Sequence, residues 1–381
     1  MKPYIYRLFR SKIFRLLYMI FCLFPIKSNK ILFLSDSSST LKGNFEFLYN
    51  TISKHKYNRE FDVKFLLKES IDTKKTYLEI ILLAYNIATS RYIFLDDFYP
   101  MIYHLRIRKR ADLIQVWHAV GAFKKFGFSR TGLPGGPAQN SINHKNYTKV
   151  VVSSKNAVEH YAEGFGISKD KVYTLGVPRT DVFFSAIYIE NKRKELYELL
   201  PIDKSKKVIL FAPTFRGNGQ NSSFYPMENL DMNLLFNKLS EDYIFIIKLH
   251  PFIKKKVQIP SKYSNFFYDF SEFKEINDLL LITDLLITDY SSVCFEYALL
   301  KRPMLFFAFD LDEYIQQRDF YSNYKDFIPG PIVSDTIQIV DTIMNNKYET
   351  EKIDRFVSES YDHLDGRSSE RVVNELIINN P

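Results

Sequence analysis

Cysteine is nearly absent: Cys22 and Cys294 are the only two in 381 residues. Two thiols so far apart build no disulfide framework, and no Cys/His spacing suited to a structural metal occurs, which fits a reducing compartment and gives both residues packing roles. Glycine is sparse, 13 in all, and no GxGxxG stretch is present, so a classical dinucleotide dehydrogenase is disfavoured. No apolar run approaches the roughly 20 residues that span a bilayer. Acidic residues are missing from residues 1–30, where Lys2, Arg7, Arg10, Lys12, Arg15, Lys27 and Lys30 supply +7 of the +8 net charge. The rest of the chain is close to neutral, and nucleic acid is not an expected partner. The chain is 46% hydrophobic and 25% charged, which suits buried cores, and its length suggests two domains at roughly 150 residues each.

The basic start encloses LLYMIFCLFPI, residues 16–26, an apolar run of only 11 residues that is too short to cross a bilayer. No small-residue cleavage site follows it, and KILFLSD reads as a first core strand, so a cleaved signal is not expected. Arg7, Arg10 and Arg15 interleave with Tyr4, Tyr6, Phe9, Phe14, Leu16 and Leu17, the pattern of a helix lying in the interface of an anionic membrane. The plainer alternative is a helix packed on the first domain. Residues 1–27 are therefore read as a basic amphipathic membrane-associating segment. A second cluster, Arg106, Arg108, Lys109 and Arg110, suits lipid phosphates, an anionic acceptor or solvent equally.

Short apolar runs recur at ILFLSD (31–36), VKFLLK (63–68), YIFLDD (92–97), LIQVWHA (113–119), VVVSS (150–154) and VYTLG (172–176). Their hydrophobicity is continuous, not alternating, which predicts parallel strands covered on both faces, with room between them for crossover helices. A charged helix and a proline connector fill residues 189–207, and the pattern restarts at VILFAPTFR (208–216), YIFIIKLHP (243–251), LLITDYSS (285–292) and PMLFFAFD (303–310). The fold class is thus α/β, GT-B-like: two Rossmann-like domains, residues 28–188 and 208–350, face each other across a cleft at the carboxyl ends of their strands. Residues 351–381 form a helical segment that is expected to return to the first half.

Three strands of the second half end in reactive side chains: Thr214 and Arg216, then His250, then Thr288, Asp289, Ser291 and Ser292. The intervals from Thr214 to His250 and from His250 to Thr288 are 36 and 38 residues, about one βα unit each, so successive units deliver them to one sheet edge. Ser291 and Ser292 open a helix whose free amides form a ready phosphate site, and either serine can cap it. Glu296, one turn on, faces the same side, where a carboxylate can accept from ribose hydroxyls. In the first half, His118 ends a strand and precedes AVGAFKKFG, where Gly121 and Gly127 allow close backbone approach and Lys124 and Lys125 supply charge. Arg179, in PRTD, suits a phosphate contact or a structural ion pair. The remaining histidines, His55, His104, His144, His160 and His363, are read as structural.

In this order, QVWHAVGAFKKFG, LGVPRTD, FAPTFR, KLHP and ITDYSSVCFEY resemble the CDP-glycerol glycerophosphotransferase family of teichoic acid primases and polymerases, over most of residues 30–335. The resemblance implies a GT-B fold held peripherally on the cytoplasmic face of the bacterial cell membrane. It further implies transfer of glycerol phosphate from CDP-glycerol to a lipid-linked saccharide or poly(alditol phosphate) acceptor, with release of CMP. CDP-ribitol as donor, or a nucleotide sugar on the same fold, are the alternatives. The chain departs from the family pattern at Ala119 and Val120, where many members place glycine and threonine after the motif histidine. Its length resembles the primases more than the extended polymerases.

On that reading His118 is the candidate general base, an imidazole near pKa 6.5 being able to take a hydroxyl proton at neutral pH. His250 contacts the diphosphate as donor or acid, although the two histidine roles are interchangeable at this level. Ser291 and Ser292 assist His250, Arg179 and Arg216 are charge partners, and Glu296 holds the ribose. Thr214, Thr288 and Asp289 shape the CDP-alditol site, Lys124 and Lys125 serve acceptor or phosphate contacts, and Asp310 and Asp312 rank below them. Asp96 and Asp97 form an isolated acidic pair at another strand end. No essential metal or other cofactor is expected, a loosely associated magnesium ion at most. The sequence carries no signal for an oligomeric state.

Overall fold

The computed structural model describes residues 6, 8–54, 61–68, 73–217 and 222–379. The sequence readings of Lys2, Tyr4, Arg7 and His55 fall outside them. Six parallel strands form the first sheet: β1 (Lys27–Ser35), β2 (Asp62–Leu67), β3 (Ser90–Leu95), β4 (Asp112–Gln115), β5 (Lys149–Val151) and β6 (Val172–Tyr173), in the order β2-β1-β3-β4-β5-β6. Six more form the second: β7 (Lys207–Phe211), β8 (Tyr243–Ile247), β9 (Phe267–Asp269), β10 (Leu285–Thr288), β11 (Met304–Phe307) and β12 (Ile332–Val333), ordered β12-β11-β10-β7-β8-β9 and again parallel. Strand order reverses between β1 and β3 in one sheet and between β7 and β10 in the other. Such switch points open crevices at the carboxyl ends of the strands.

The unbroken apolar runs follow from burial on both faces. Ile31 and Phe33 pack with Phe45, Leu48 and Ile52 of helix Asn44–Lys54, while Leu32 and Leu34 pack the other way with Ile80, Leu83 and Ile87 of helix Tyr77–Thr89. Thr76 and Glu79 form a reciprocal capping box that starts the latter helix. In the second half, Ile209 and Phe211 face Leu235 and Leu239, whereas Val208 and Leu210 face Leu279 to Ile282 and Phe295. Strands β9 and β12 are edge strands of three and two residues and were not recognised in the sequence.

Helix Phe14–Phe21 turns Phe14 and Tyr18 into the first core, and the Tyr18 hydroxyl donates to the Arg106 carbonyl at 2.8 Å. Arg108 is used structurally, donating to the carbonyls of Phe24 and Ala88 at 2.8 Å each. Leu16, Met19 and Ile20 of helix Phe14–Phe21 are exposed, as are Leu23 and Phe24 in the turn after it, Leu23 at 86%. Among the described residues, no helix is long and apolar enough to cross a membrane.

Residues 189–207 are largely occupied by helix Ala186–Leu199, which buries Leu196 in the second core. Helix Glu351–Ser360 adds Ile353, Phe356 and Val357 to that same core. The chain then crosses back, placing Val372, Val373, Leu376 and Ile377 against Ile31 and Phe33, with the Tyr92 hydroxyl donating to the Ile377 carbonyl at 2.9 Å. The loop after β4 crosses in the other direction, since Val120 and Phe123 belong to the second core. Tyr321 donates from its amide to the Phe123 carbonyl at 3.0 Å, and Lys124 bridges to Phe320.

Candidate active site

Two histidines confront each other at the carboxyl edges of the two sheets. His118 lies three residues beyond β4 and is half accessible, at 53% of its side-chain surface, yet sits in the cleft with protein around it. Its Nδ1 is 3.3 Å from Asp97 Oδ1, just beyond the end of β3. Desolvation, the largest influence, draws its pKa down, but the charge and hydrogen bond of Asp97 outweigh it and leave the imidazole above its ordinary value. Trp117, immediately before it, has φ +50°, a left-handed conformation that a bulky residue adopts only when its surroundings enforce it. Asn44 and Gln115 do so: Asn44 Nδ2 donates to the Trp117 carbonyl at 2.6 Å, and the Trp117 amide donates to Gln115 Oε1 at 2.9 Å.

His250 follows β8 between Phe215 and Phe252, at ring-centroid distances of 4.8 and 4.6 Å. The Phe252 amide donates to His250 Nδ1 at 3.2 Å, so the neutral ring carries its proton on Nε2. Burial, then the charges of Lys124, Lys248 and His118, lower its pKa to about 3. The charge of His118 is felt at His250; Asp97 raises the proton affinity of the first imidazole, whereas burial holds the second neutral. That contrast is the pattern of a proton acceptor facing a fixed hydrogen-bond donor.

The other anticipated residues divide into those at the surface of the site and those behind it. Ser291 and Ser292 are half-buried; Ser292 makes no side-chain cap bond, and Ser291 Oγ accepts only a long 3.4 Å bond from the Val293 amide. Helix capping therefore does not consume these hydroxyls. Thr214 Oγ1 is buried and has no partner among the described residues. Lys124 projects between the halves, its pKa lowered to about 8 by burial against the opposing pull of Asp289. Its charge is also felt at His250.

Arg216 differs from the expectation of a ligand contact. Its guanidinium pairs with Asp310 through Nε and Nη2 at 2.5 and 2.9 Å and with Asp289 through Nη1 at 2.9 Å, among the rings of Tyr225, Tyr290, Phe309 and Tyr314. Its donors are spent behind the site because buried Asp289 and half-buried Asp310 claim them. Asp289 also accepts from the Thr214 and Tyr290 amides at 2.7 and 2.5 Å, and Thr288 Oγ1 donates to the Ala212 carbonyl at 2.7 Å. Thr288, Asp289 and Asp310 thus set the floor of the crevice between β7 and β10. Lys125 likewise differs, being committed to Asp319 at 2.6 Å. Arg179 and Glu296 pair with each other across the cleft, while Arg179 Nε and Glu296 Oε2 keep no partner among the described residues.

Gly121 and Gly127 carry the close approaches their positions suggested: a Cβ on Gly121 would lie 2.2 Å from the Phe295 ring, and one on Gly127 1.9 Å from the Gly164 carbonyl. His144 is structural, accepting or donating at Nδ1 with Tyr103 and Tyr147 at 3.2 and 2.8 Å. Asp97, Asn44 and Gln115 are the functional neighbours that sequence reasoning missed. Only the acidic pair at the end of β3 signalled one of them. Among the described residues, no group of three or more His, Cys, Asp or Glu is arranged to hold a metal ion.

Two parallel-sheet α/β halves, a histidine from each and a hydroxyl-lined helix start define a class of two-domain group-transfer fold. Within it, the chain belongs to the CDP-Glycerol:Poly(glycerophosphate) glycerophosphotransferase family, whose profile matches residues 16–378. It is 56% identical over 372 residues to the teichoic acid poly(ribitol-phosphate) polymerase of Bacillus spizizenii, covering 98% of this chain and 60% of that relative. The chain therefore spans well under two thirds of that protein's length. It is 35% identical to the teichoic acid ribitol-phosphate primase of the same organism, covering 98% of this chain and 97% of the primase. The solved structure of the wall teichoic acid polymerase TagF shares the fold, with a TM-score of 0.79 at 24% identity over 97% of this chain and 94% of that one.

Proposed function

We propose that the chain transfers ribitol phosphate from CDP-ribitol to a lipid-linked or poly(alditol phosphate) acceptor, releasing CMP, in teichoic acid synthesis. Ribitol takes the place of the glycerol suggested by the motifs because the 56% and 35% identical relatives are both named for ribitol phosphate. The observation that carries the mechanism is a histidine from each half at the strand ends, His118 with its Nδ1 toward Asp97 and His250 with its Nδ1 accepting from the Phe252 amide, which leaves Nε2 of each ring for substrate. His118 Nε2 takes the acceptor hydroxyl proton, and the resulting oxygen attacks the phosphorus bearing the alditol. The bond from that phosphorus to the bridging oxygen breaks, and CMP leaves with the electron pair. The Nε2–H of neutral His250, with Ser291, Ser292 and Lys124, supports the charge that builds on the diphosphate. Glu296 Oε2, which has no partner among the described residues, accepts from the ribose while its other oxygen keeps Arg179.

The membrane surface enters through helix Phe14–Phe21. Its exposed Leu16, Met19 and Ile20, with Leu23 and Phe24 just beyond its end, belong to the same segment as Arg10, Lys12, Arg15 and Lys27, an apolar surface in a basic stretch of chain that suits an anionic leaflet. A peripheral position on the cytoplasmic face of the bacterial membrane would bring a lipid-linked acceptor to the first half. The donor assignment is tested by CMP release from purified protein given CDP-ribitol, CDP-glycerol or a UDP-sugar with a lipid-linked acceptor. CDP-ribitol is expected to be used at least 10-fold better, about 1.4 kcal/mol of discrimination. Preference for CDP-glycerol, or release of UDP alone, would overturn it.

A further inference from the structure

We propose that Asp97 is the positioning residue of His118: its carboxylate accepts the hydrogen bond of Nδ1–H, turns Nε2 toward the acceptor hydroxyl, and stabilises the imidazolium formed when the hydroxyl proton is taken. The proposal rests on the reading of His118 as the base. Asp97 and His118 come from neighbouring strands, Leu95 of β3 lying in register with Gln115 of β4, and the separation of Nδ1 and Oδ1 is 3.3 Å. Both are held by one side chain. Fully buried Gln115 donates from Nε2 to the Asp97 carbonyl at 3.1 Å and accepts at Oε1 from the Trp117 amide at 2.9 Å. Asp97 Oδ1 is further fixed by the Phe98 amide at 2.6 Å. On the far side, Asn44 grips the Val116 and Trp117 carbonyls at 3.2 and 2.6 Å while its Oδ1 accepts from the Arg179 amide at 3.0 Å.

The neighbouring carboxyl explains why Asp97 and not Asp96 carries the charge. Burial lifts Asp96 to about 7, and its Oδ1 has no partner among the described residues. Asp97 is drawn below its ordinary value, because the charge and hydrogen bond of His118 overcome a larger desolvation influence. The charged and titratable groups around the imidazole are Asp97 and Asp96 on one side and Arg179 on the other. His144 lies behind Asp97, and His250, in the other half, feels the charges of both His118 and Lys124. Of these, only Asp97 is within hydrogen-bonding reach of Nδ1.

The test is a pH titration of His118 in the full-length, histidine-labelled protein by NMR, for the parent, Asp97→Asn and Asp97→Glu, beside turnover at each pH. Asp97→Asn is expected to lower the His118 midpoint by about one pH unit and to reduce kcat roughly 10²-fold, with KM within about 3-fold and the acidic limb of the rate profile moving with the midpoint. Asp97→Glu, which keeps the charge, is expected to restore most of the midpoint. An unchanged His118 midpoint in folded Asp97→Asn, or an equal fall in kcat with an unmoved acidic limb, overturns the proposal. The titration reads the pair in the resting protein; the base assignment stands or falls separately on the turnover of His118→Ala.

Discussion

Arg179, on the turn after β6, and Glu296, in the helix that follows β10, form an ion pair that joins the two halves of the molecule. Glu296 is 1% exposed in its side chain and Arg179 22%, so the carboxylate depends on its partner far more than the guanidinium does. Arg179→Ala is expected to lower unfolding free energy by about 3 kcal/mol in urea denaturation, because it strands a buried charge. Glu296→Gln is expected to cost less than half of that and to raise the donor KM several-fold. Equal destabilisation by the two would argue against this asymmetry.

Arg216 has the opposite character, a cation enclosed by Asp289, Asp310 and four aromatic rings. Arg216→Met leaves two carboxylates uncompensated and is expected to destabilise by roughly 4 kcal/mol. Arg216→Lys is expected to recover little, since a point ammonium does not reproduce the two-sided fork. Ser291→Ala and Ser292→Ala are expected to leave the urea midpoint nearly unchanged while raising the donor KM. A stable, fully active Arg216→Lys would contradict the supporting role given to this residue.

These contrasts show what was legible in the sequence. Ten of the strands stood out as apolar runs, among them the two-residue edge strand β6; the edge strands β9 and β12 were not recognised. Strand-end position brought His118, His250, Thr214, Ser291 and Ser292 to the cleft, since a regular βα repeat fixes which edge a residue occupies. It did not reveal which charges face a ligand and which face each other. Arg216 and Lys125 read as ligand contacts because their acidic partners, Asp310 and Asp319, lie far away in the chain. The crossing of Phe123 into the second core was hidden for the same reason.

Acid should weaken the fold through the histidines held neutral. His250 is lowered to about 3 and His144 to about 4, in each case chiefly by burial. The unfolded chain therefore binds more protons than the folded one from about pH 6.5 downward, and stability falls with pH until those folded values are passed. His118, with its raised pKa, acts in the other direction: its contribution is complete below about 6.5 and lost as pH rises through the folded value. His250→Gln is expected to flatten the fall in unfolding free energy between pH 6 and 4.5 by about 1.4 kcal/mol per pH unit. An unchanged slope would contradict a neutral, buried His250.

The proposed membrane attachment uses the outward face of helix Phe14–Phe21 and the exposed Leu23 and Phe24 after it, not the buried face. Met19→Glu with Leu23→Glu is expected to release the protein from vesicles containing anionic phospholipid, measured by flotation, while leaving the thermal transition within a few degrees of the parent. Raised salt is expected to weaken binding of the parent as well, because the segment that carries the patch is basic. Undiminished flotation of the double variant would locate the membrane surface elsewhere.

The most direct test is CMP release from CDP-ribitol by the purified parent, His118→Ala and His250→Ala, with folding of each confirmed by its thermal transition. The parent is expected to turn over, and each variant is expected to lose at least 10²-fold in kcat while melting close to the parent. Near-parental turnover in folded His118→Ala or His250→Ala would contradict the placing of the chemistry between these two residues.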